Sequence, residues 1–268
     1  MTAPTRLAAT FAAARAEHRS ALVTYVMAGD PDPAESTRLA RACIEGGADI
    51  VELGIPFSDP LADGPVIQRA ARRALEAGTR LGDVLGVAAA LREESATPIV
   101  LMGYLNPILA MGEEAFFAAC RDRGVDAVII PDLLPEAARA LGKLARRAGV
   151  GLVFMVATGT SPERRTRAIG AATAFVYLTA VNGVTGVRSE LPSGIAQAVA
   201  ELRAAGDAPV VVGFGISRPS HVAALTGIAD GVVVGSAIVD LIAGESDPPR
   251  RLEAVRTLVT ALRRSTVK

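Results

Sequence analysis

Lysine, histidine, cysteine and tryptophan are nearly or wholly missing from this chain, and each shortage removes a class of chemistry. The only lysines are Lys143, in a helix expected on the outside of the fold, and Lys268 at the C-terminus. Schiff-base chemistry on a buried lysine is therefore excluded. The only histidines are His18, near the N-terminus, and His221, inside the helix expected after the seventh strand, so no His-ligated metal centre is expected. Isolated histidines of this kind are ordinarily surface or helix-packing residues. Cys43 and Cys120 lie far apart on expected helices, which argues against a disulfide framework or metal knuckle and fits a reducing cytoplasm. The formal net charge is zero with no long block of Lys or Arg, so the footprint of a nucleic-acid binder is missing. A small-molecule substrate is expected.

Apolar runs of membrane length are missing too. Arg6, Arg15, Glu17, His18 and Arg19 interrupt the first twenty residues, where a signal peptide or anchor would need continuity. A short amphipathic helix packed on the rest of the fold is expected there. Residues 168–187 carry no charge, but Gly170, Asn182, Gly183, Gly186 and several Thr break the apolarity that a membrane span requires. That stretch reads as a buried strand running into a glycine-rich loop.

What is present is aliphatic. Half of the residues are hydrophobic while aromatics make up 4%, so the core is built from Ala, Val, Leu and Ile, as in a parallel sheet. Short β-branched runs alternate with longer Ala- and Arg-rich segments of helical period, the signature of repeated βα units. Strands are expected at Ala21 to Met27, Asp49 to Leu53, Ile99 to Gly103, Ala127 to Pro131, Gly151 to Ala157, Ala174 to Thr179, Val210 to Phe214 and Gly231 to Val234. Helix starts are expected at Asp32-Pro33, Leu134-Pro135, Ser161-Pro162 and Arg218-Pro219. Eight units in 268 residues, with no linker or composition shift, predict an α/β protein of the (β/α)8 TIM-barrel class. Residues 1–268 read as one domain with an extra N-terminal helix and long loops after strands two and six.

Those two loops sit on the C-terminal face of such a barrel, where active sites of this fold are built. Ahead of the first loop, Glu52 interrupts the apolar run Ile50-Val51-Glu52-Leu53-Gly54, on the same strand face as Ile50. An ion pair or a strand-end hydrogen bond accounts for such a residue as readily as catalysis does. Asp63 tips the balance, because the Gly, Pro and Asp residues between the two describe a tight loop that returns a second carboxylate over the barrel mouth. Two carboxylates in unlike environments can divide acid and base roles. After strands seven and eight, Gly213-Phe214-Gly215-Ile216-Ser217 and Gly235-Ser236 suggest a phosphate site built from backbone amides, with Ser236 opening a short helix.

The run Glu52-Leu53-Gly54-Ile55-Pro56-Phe57-Ser58-Asp59-Pro60-Leu61-Ala62-Asp63-Gly64-Pro65 closely resembles the signature of the tryptophan synthase α-subunit family. Ala28-Gly29-Asp30-Pro31, Asn106-Pro107, Pro131-Asp132-Leu133, Gly183-Val184-Thr185-Gly186 and the Gly213 to Ser217 run extend the resemblance over essentially the whole chain in family order. The resemblance implies cleavage of indole-3-glycerol phosphate to indole and glyceraldehyde 3-phosphate, without a metal or organic cofactor in this subunit. Glu52 would be the proton shuttle and Asp63 the partner of the indole N–H. Tyr177 matches a family tyrosine beside the glutamate, and Thr185 a lid residue that orients the aspartate. Amides near Gly183, Gly186, Gly213, Gly215 and Gly235, with Ser236, would hold the phosphate. Tyr25, Leu101 and Met155 would line the indole pocket.

The resemblance also implies a partner, a pyridoxal-phosphate β subunit that receives indole, in an α-β-β-α heterotetramer. Asp59, Pro60 and the Asn106 to Met111 loop match its partner-facing elements. A stand-alone indole-releasing lyase of the same family, or a catalytically silent allosteric partner, would carry the same signature. Two positions depart from the family pattern: Tyr25 stands where Phe is frequent, and Ala157-Thr158-Gly159 where Ala-Pro-Thr is usual.

Overall fold

The computed structural model describes residues 5–179, 194–213 and 215–267. Eight parallel strands close into a barrel in sequence order: β1 Ala21–Met27, β2 Ile50–Gly54, β3 Ile99–Met102, β4 Ala127–Ile129, β5 Gly151–Ala157, β6 Val176–Thr179, β7 Val210–Gly213 and β8 Gly231–Val234. Twelve helices accompany them among the described residues. They are α1 Arg6–Ala16, α2 Pro33–Glu45, α3 Pro65–Glu76, α4 Leu81–Glu94, α5 Leu105–Met111, α6 Glu113–Asp122, α7 Arg139–Ala148, α8 Pro162–Ala171, α9 Ile195–Ala205, α10 Pro219–Leu225, α11 Ser236–Gly244 and α12 Pro248–Arg264. This is the expected (β/α)8 TIM barrel with a helix ahead of β1. None of the described helices is long and apolar enough to cross a membrane.

The expected strands at β1, β5 and β8 coincide with those observed, and the others differ at their ends by a few residues. The stretched interval after β2 holds an additional helix, α3, before α4. Two of the expected helix starts carry their caps. The Asp32 carboxylate accepts the Glu35 N–H at 2.8 Å ahead of α2, and Ser161 caps α8. Helix α10 begins at Pro219 as expected, without a side-chain cap. The start expected at Leu134-Pro135 is displaced to Arg139. Leu134 has no capping oxygen, and the Pro135 region instead closes a turn through Ala137 N–H to Leu134 O at 3.0 Å.

Strand alternation sorts the core into two shells. Val23, Ile50, Val100, Ile129, Val153, Tyr177, Val211 and Val233 fill the barrel, while the residues between them pack outward against the helices. Helix α1 closes the lower end with Leu7, Phe11 and Ala14, the Phe11 ring meeting Phe175 edge-on at 5.9 Å.

The N-terminal face of the barrel is pinned by a repeated device. Asp49, Asp126 and Asp230 each immediately precede an even-numbered strand and accept a backbone N–H of the strand before: Leu22 at 2.8 Å, Ile99 at 2.8 Å and Val210 at 2.9 Å. Thr173, ahead of β6, does the same for Leu152 at 2.8 Å. Arginines then neutralise the carboxylates, Arg19 on Asp49, Arg92 and Arg6 on Asp126, and Arg15 and Arg203 on Asp230. Register is set at this end, where a one-residue slip would turn every interior side chain outward. The opposite rim is left to loops that carry chemistry.

Candidate active site

Register places Glu52 on the barrel interior between Tyr25 of β1 and Val100 of β3. It is 1% exposed, makes no ion pair among the described residues, and its Oε2 has no hydrogen-bond partner among them. The ion-pair explanation for a strand glutamate is therefore not realised in the described structure. Burial pushes its carboxyl up to about 8, and the negative charge of Asp63 adds to the rise.

Asp63 is brought back over the mouth by the Gly54 to Pro65 loop. The loop folds on itself through Leu61 N–H to Asp59 O at 2.9 Å and Asp63 N–H to Pro60 O at 3.0 Å. Gln68 on α3 holds the far side, its side-chain amide donating to the Asp63 carbonyl at 2.9 Å. Burial raises the Asp63 carboxyl to about 6, against an opposing hydrogen bond from Tyr104. Between about pH 6 and about pH 8, then, Glu52 keeps its proton while Asp63 is ionised. One site holds a neutral acid and an anion, the division of labour that unlike environments produce.

Two tyrosines flank Glu52, each over a glycine that makes its place. A Cβ at Gly54 would lie 2.1 Å from the Tyr25 hydroxyl, and one at Gly213 would lie 2.1 Å from the Tyr177 hydroxyl. Both phenols are raised well above their ordinary range by burial and then by the nearby carboxylates, Asp63 ahead of Glu52 for Tyr25 and the reverse for Tyr177. Glu52, Asp63, Tyr25 and Tyr177 thus share one electrostatic neighbourhood. Met155, opposite Tyr177 in register, belongs to the same interior.

Leu101 does not. It packs in the shell between sheet and helices, because the register that turns Glu52 inward pairs it with Val100, and alternation then carries β3 inward again at Met102. Met102 packs against the interior clusters that hold Tyr25 and Tyr177. Tyr104 was also missed from the sequence. It lies two residues before the Asn106-Pro107 match, and its contact with Asp63 crosses between loops.

At the ends of β7 and β8, Gly215 has φ +74 and open space at its Cβ position, and Gly235 caps α11, which opens at Ser236 without a side-chain cap or first-turn acid. The amides of that first turn are suited to an anion. Gly213 is the floor under Tyr177. Gly183, Thr185 and Gly186 lie outside the described residues, as does Phe214. Asp59 and Asn106 are exposed, and Pro60 half-buried, at the same end of the barrel. Beside them Leu61, Leu109, Met111 and Leu134 expose apolar side chains, Leu61 almost completely at 94%. Behind the loop, the Ala28-Gly29-Asp30-Pro31 run has a structural role. Buried Asp30 takes both arms of Arg73 at 2.8 and 2.6 Å and so ties α3, which follows Asp63, to the end of β1. Among the described residues no group of three His, Cys, Asp or Glu could hold a metal.

The family model described as "Tryptophan synthase alpha chain" matches residues 11–266. Among curated proteins, the tryptophan synthase alpha chain of Rhizorhabdus wittichii is 48% identical over 266 residues, covering 97% of each chain. That of Geobacter sulfurreducens is 48% identical over 259 residues, covering 96% of this chain and 97% of its own. Among solved structures, a chain of Mycobacterium tuberculosis tryptophan synthase superposes with a TM-score of 0.91 at 34% identity, covering 99% of this chain and 100% of that one. An Aquifex aeolicus protein superposes with a TM-score of 0.90 at 36% identity and the same coverage.

Proposed function

Because the chain belongs to the tryptophan synthase alpha chain family, whose step in tryptophan synthesis is the cleavage of indole-3-glycerol phosphate, we propose that Glu52 and Asp63 perform that cleavage here. The observation that carries this is the pair itself, a fully buried Glu52 without a hydrogen-bond partner for Oε2 among the described residues, beside Asp63 at the barrel mouth, whose carboxyl is raised less than that of Glu52. Glu52, protonated, gives its proton to indole C3, and the ring becomes an iminium electron sink. The Glu52 carboxylate so formed takes the proton of the adjacent side-chain hydroxyl. The carbon–carbon bond breaks, its electrons flow into the iminium, and indole and glyceraldehyde 3-phosphate leave. One proton enters and one departs, so Glu52 ends as it began.

Asp63 accepts the indole N–H and stabilises the positive charge that develops on that nitrogen, an interaction strongest in the transition state. Tyr25, Met102, Met155 and Tyr177 wall the indole. The amides at Gly213, Gly215, Gly235 and Ser236, with those of Gly183 and Gly186, hold the phosphate, and Thr185 orients Asp63. The family's α chain carries no cofactor, and its pyridoxal phosphate sits in the β subunit. We read residues 1–268 as one cytoplasmic domain working in an α-β-β-α heterotetramer. The exposed Leu61, Leu109 and Met111, beside Asp59, Pro60 and Asn106, support that reading of the docking face.

The purified chain incubated with indole-3-glycerol phosphate is expected to release indole, and a cognate β subunit to accelerate the release strongly. Indole release unaffected by the β subunit would make it a stand-alone lyase. No release under either condition would refute the activity.

A further inference from the structure

We propose that Tyr104 is a positioning residue for Asp63. The corner between β3 and α5 that carries it is itself fixed. The Gly103 N–H donates to Ile129 O at 3.0 Å, and the Leu105 N–H to the Asp132 carboxylate at 3.0 Å. Against this corner the Gly54 to Pro65 loop is pinned at three points. The Ile55 N–H donates to Met102 O at 2.7 Å, the Phe57 ring stacks on Tyr104 at 5.3 Å, and the Ala62 N–H donates to the Tyr104 hydroxyl at 2.9 Å. The approach is close enough that a Cβ on Gly103 would lie 2.7 Å from Ile55.

These contacts hold the Tyr104 hydroxyl against the residue that precedes Asp63. Its oxygen already accepts the amide of Ala62, so its proton is left to turn toward the Asp63 carboxylate, whose ionised form the hydroxyl favours. Glu52 from β2, Tyr25 from β1 and Tyr177 from β6 also face Asp63, and Asp132 faces Tyr104 from beyond. Among the described residues no cation shifts Asp63, and Tyr104 is the one that favours its ionised form. Burial alone works the other way. Tyr104 thus fixes the carboxylate that meets the indole N–H and keeps it charged at neutral pH. This rests on the reading of Asp63 given above.

Tyr104→Phe keeps the ring and its stack on Phe57 and removes only the hydroxyl. Its kcat is expected to fall about tenfold, as the hydroxyl's bond to the Asp63 carboxylate is lost together with the one it accepts from Ala62, with KM close to wild type. The acid limb of kcat/KM should move to higher pH, and in the Asp63→Asn background the same substitution should cost little more. Independently of turnover, carbon-13 carboxyl NMR of the free protein should show Asp63 titrating at higher pH in Tyr104→Phe than in wild type. An Asp63 titration that does not move, or a loss that adds in full to that of Asp63→Asn, would overturn the role. A wild-type chain that releases no indole would instead refute the activity, and the NMR titration distinguishes the two failures.

Discussion

Glu52→Gln is expected to lower kcat for indole release by at least about a thousandfold while leaving substrate binding nearly intact. Glutamine matches glutamate in size and sits in the same 1%-exposed position on β2, so the pocket keeps its shape. The amide has no proton to give to indole C3 and no carboxylate to take one back, so both halves of the shuttle stop together. Steady-state kinetics with a direct binding measurement would separate the two effects, and a variant of full activity would remove Glu52 from the mechanism. The same substitution should stabilise the fold. The Glu52 carboxyl is raised from 4.5 to about 8 in the folded protein, so its contribution to stability is complete below about pH 4.5 and is lost as pH rises through about 8. Glutamine has no charge to bury. Its advantage in melting temperature over wild type should therefore grow from acidic to mildly alkaline pH, the pattern of an active site bought with stability.

Asp63→Asn is the second large effect, a fall in kcat of about a hundredfold or more with a modest change in KM. Asparagine can still accept the indole N–H in the ground state, but it brings no charge to meet the cation that forms as C3 is protonated. The loss should fall on the transition state. The pH profile should change at both ends. The acid limb set by Asp63 should vanish, and the alkaline limb should shift downward, because the Asp63 charge is one of the two causes that raise Glu52. A variant impaired only in KM would make Asp63 a recognition residue.

The parts of this site legible in the sequence are those with a local signature. Glu52 breaks an apolar strand, the glycines and prolines up to Asp63 spell a tight return, and Gly235-Ser236 marks a helix start at a strand end. Parity along β3 was not local. Whether Leu101 or Met102 faces inward depends on the register with Glu52 one strand away, which the apolar run Ile99 to Met102 does not reveal because both of its faces are buried. Tyr104 was hidden for a similar reason, since its partners Phe57, Ala62 and Asp63 lie some forty residues earlier and meet it only when the loop folds back. At Leu134-Pro135 the proline suggested a helix start that lacked a capping oxygen, and the helix began later. The Asp30–Arg73 pair shows the same limit, because nothing in the run Ala28 to Pro31 reveals that its aspartate is tied to an arginine on α3.

The central claim is that Glu52 starts each turnover as a protonated acid beside an ionised Asp63. The pH dependence of kcat/KM for indole formation by the wild-type protein tests it most directly, since that ratio reports the ionisations of the free enzyme. A bell is expected, its acid limb near 6 from Asp63 and its alkaline limb near 8 from Glu52. A rate that kept rising through about pH 8 would mean that Glu52 begins as a carboxylate, and would contradict the account.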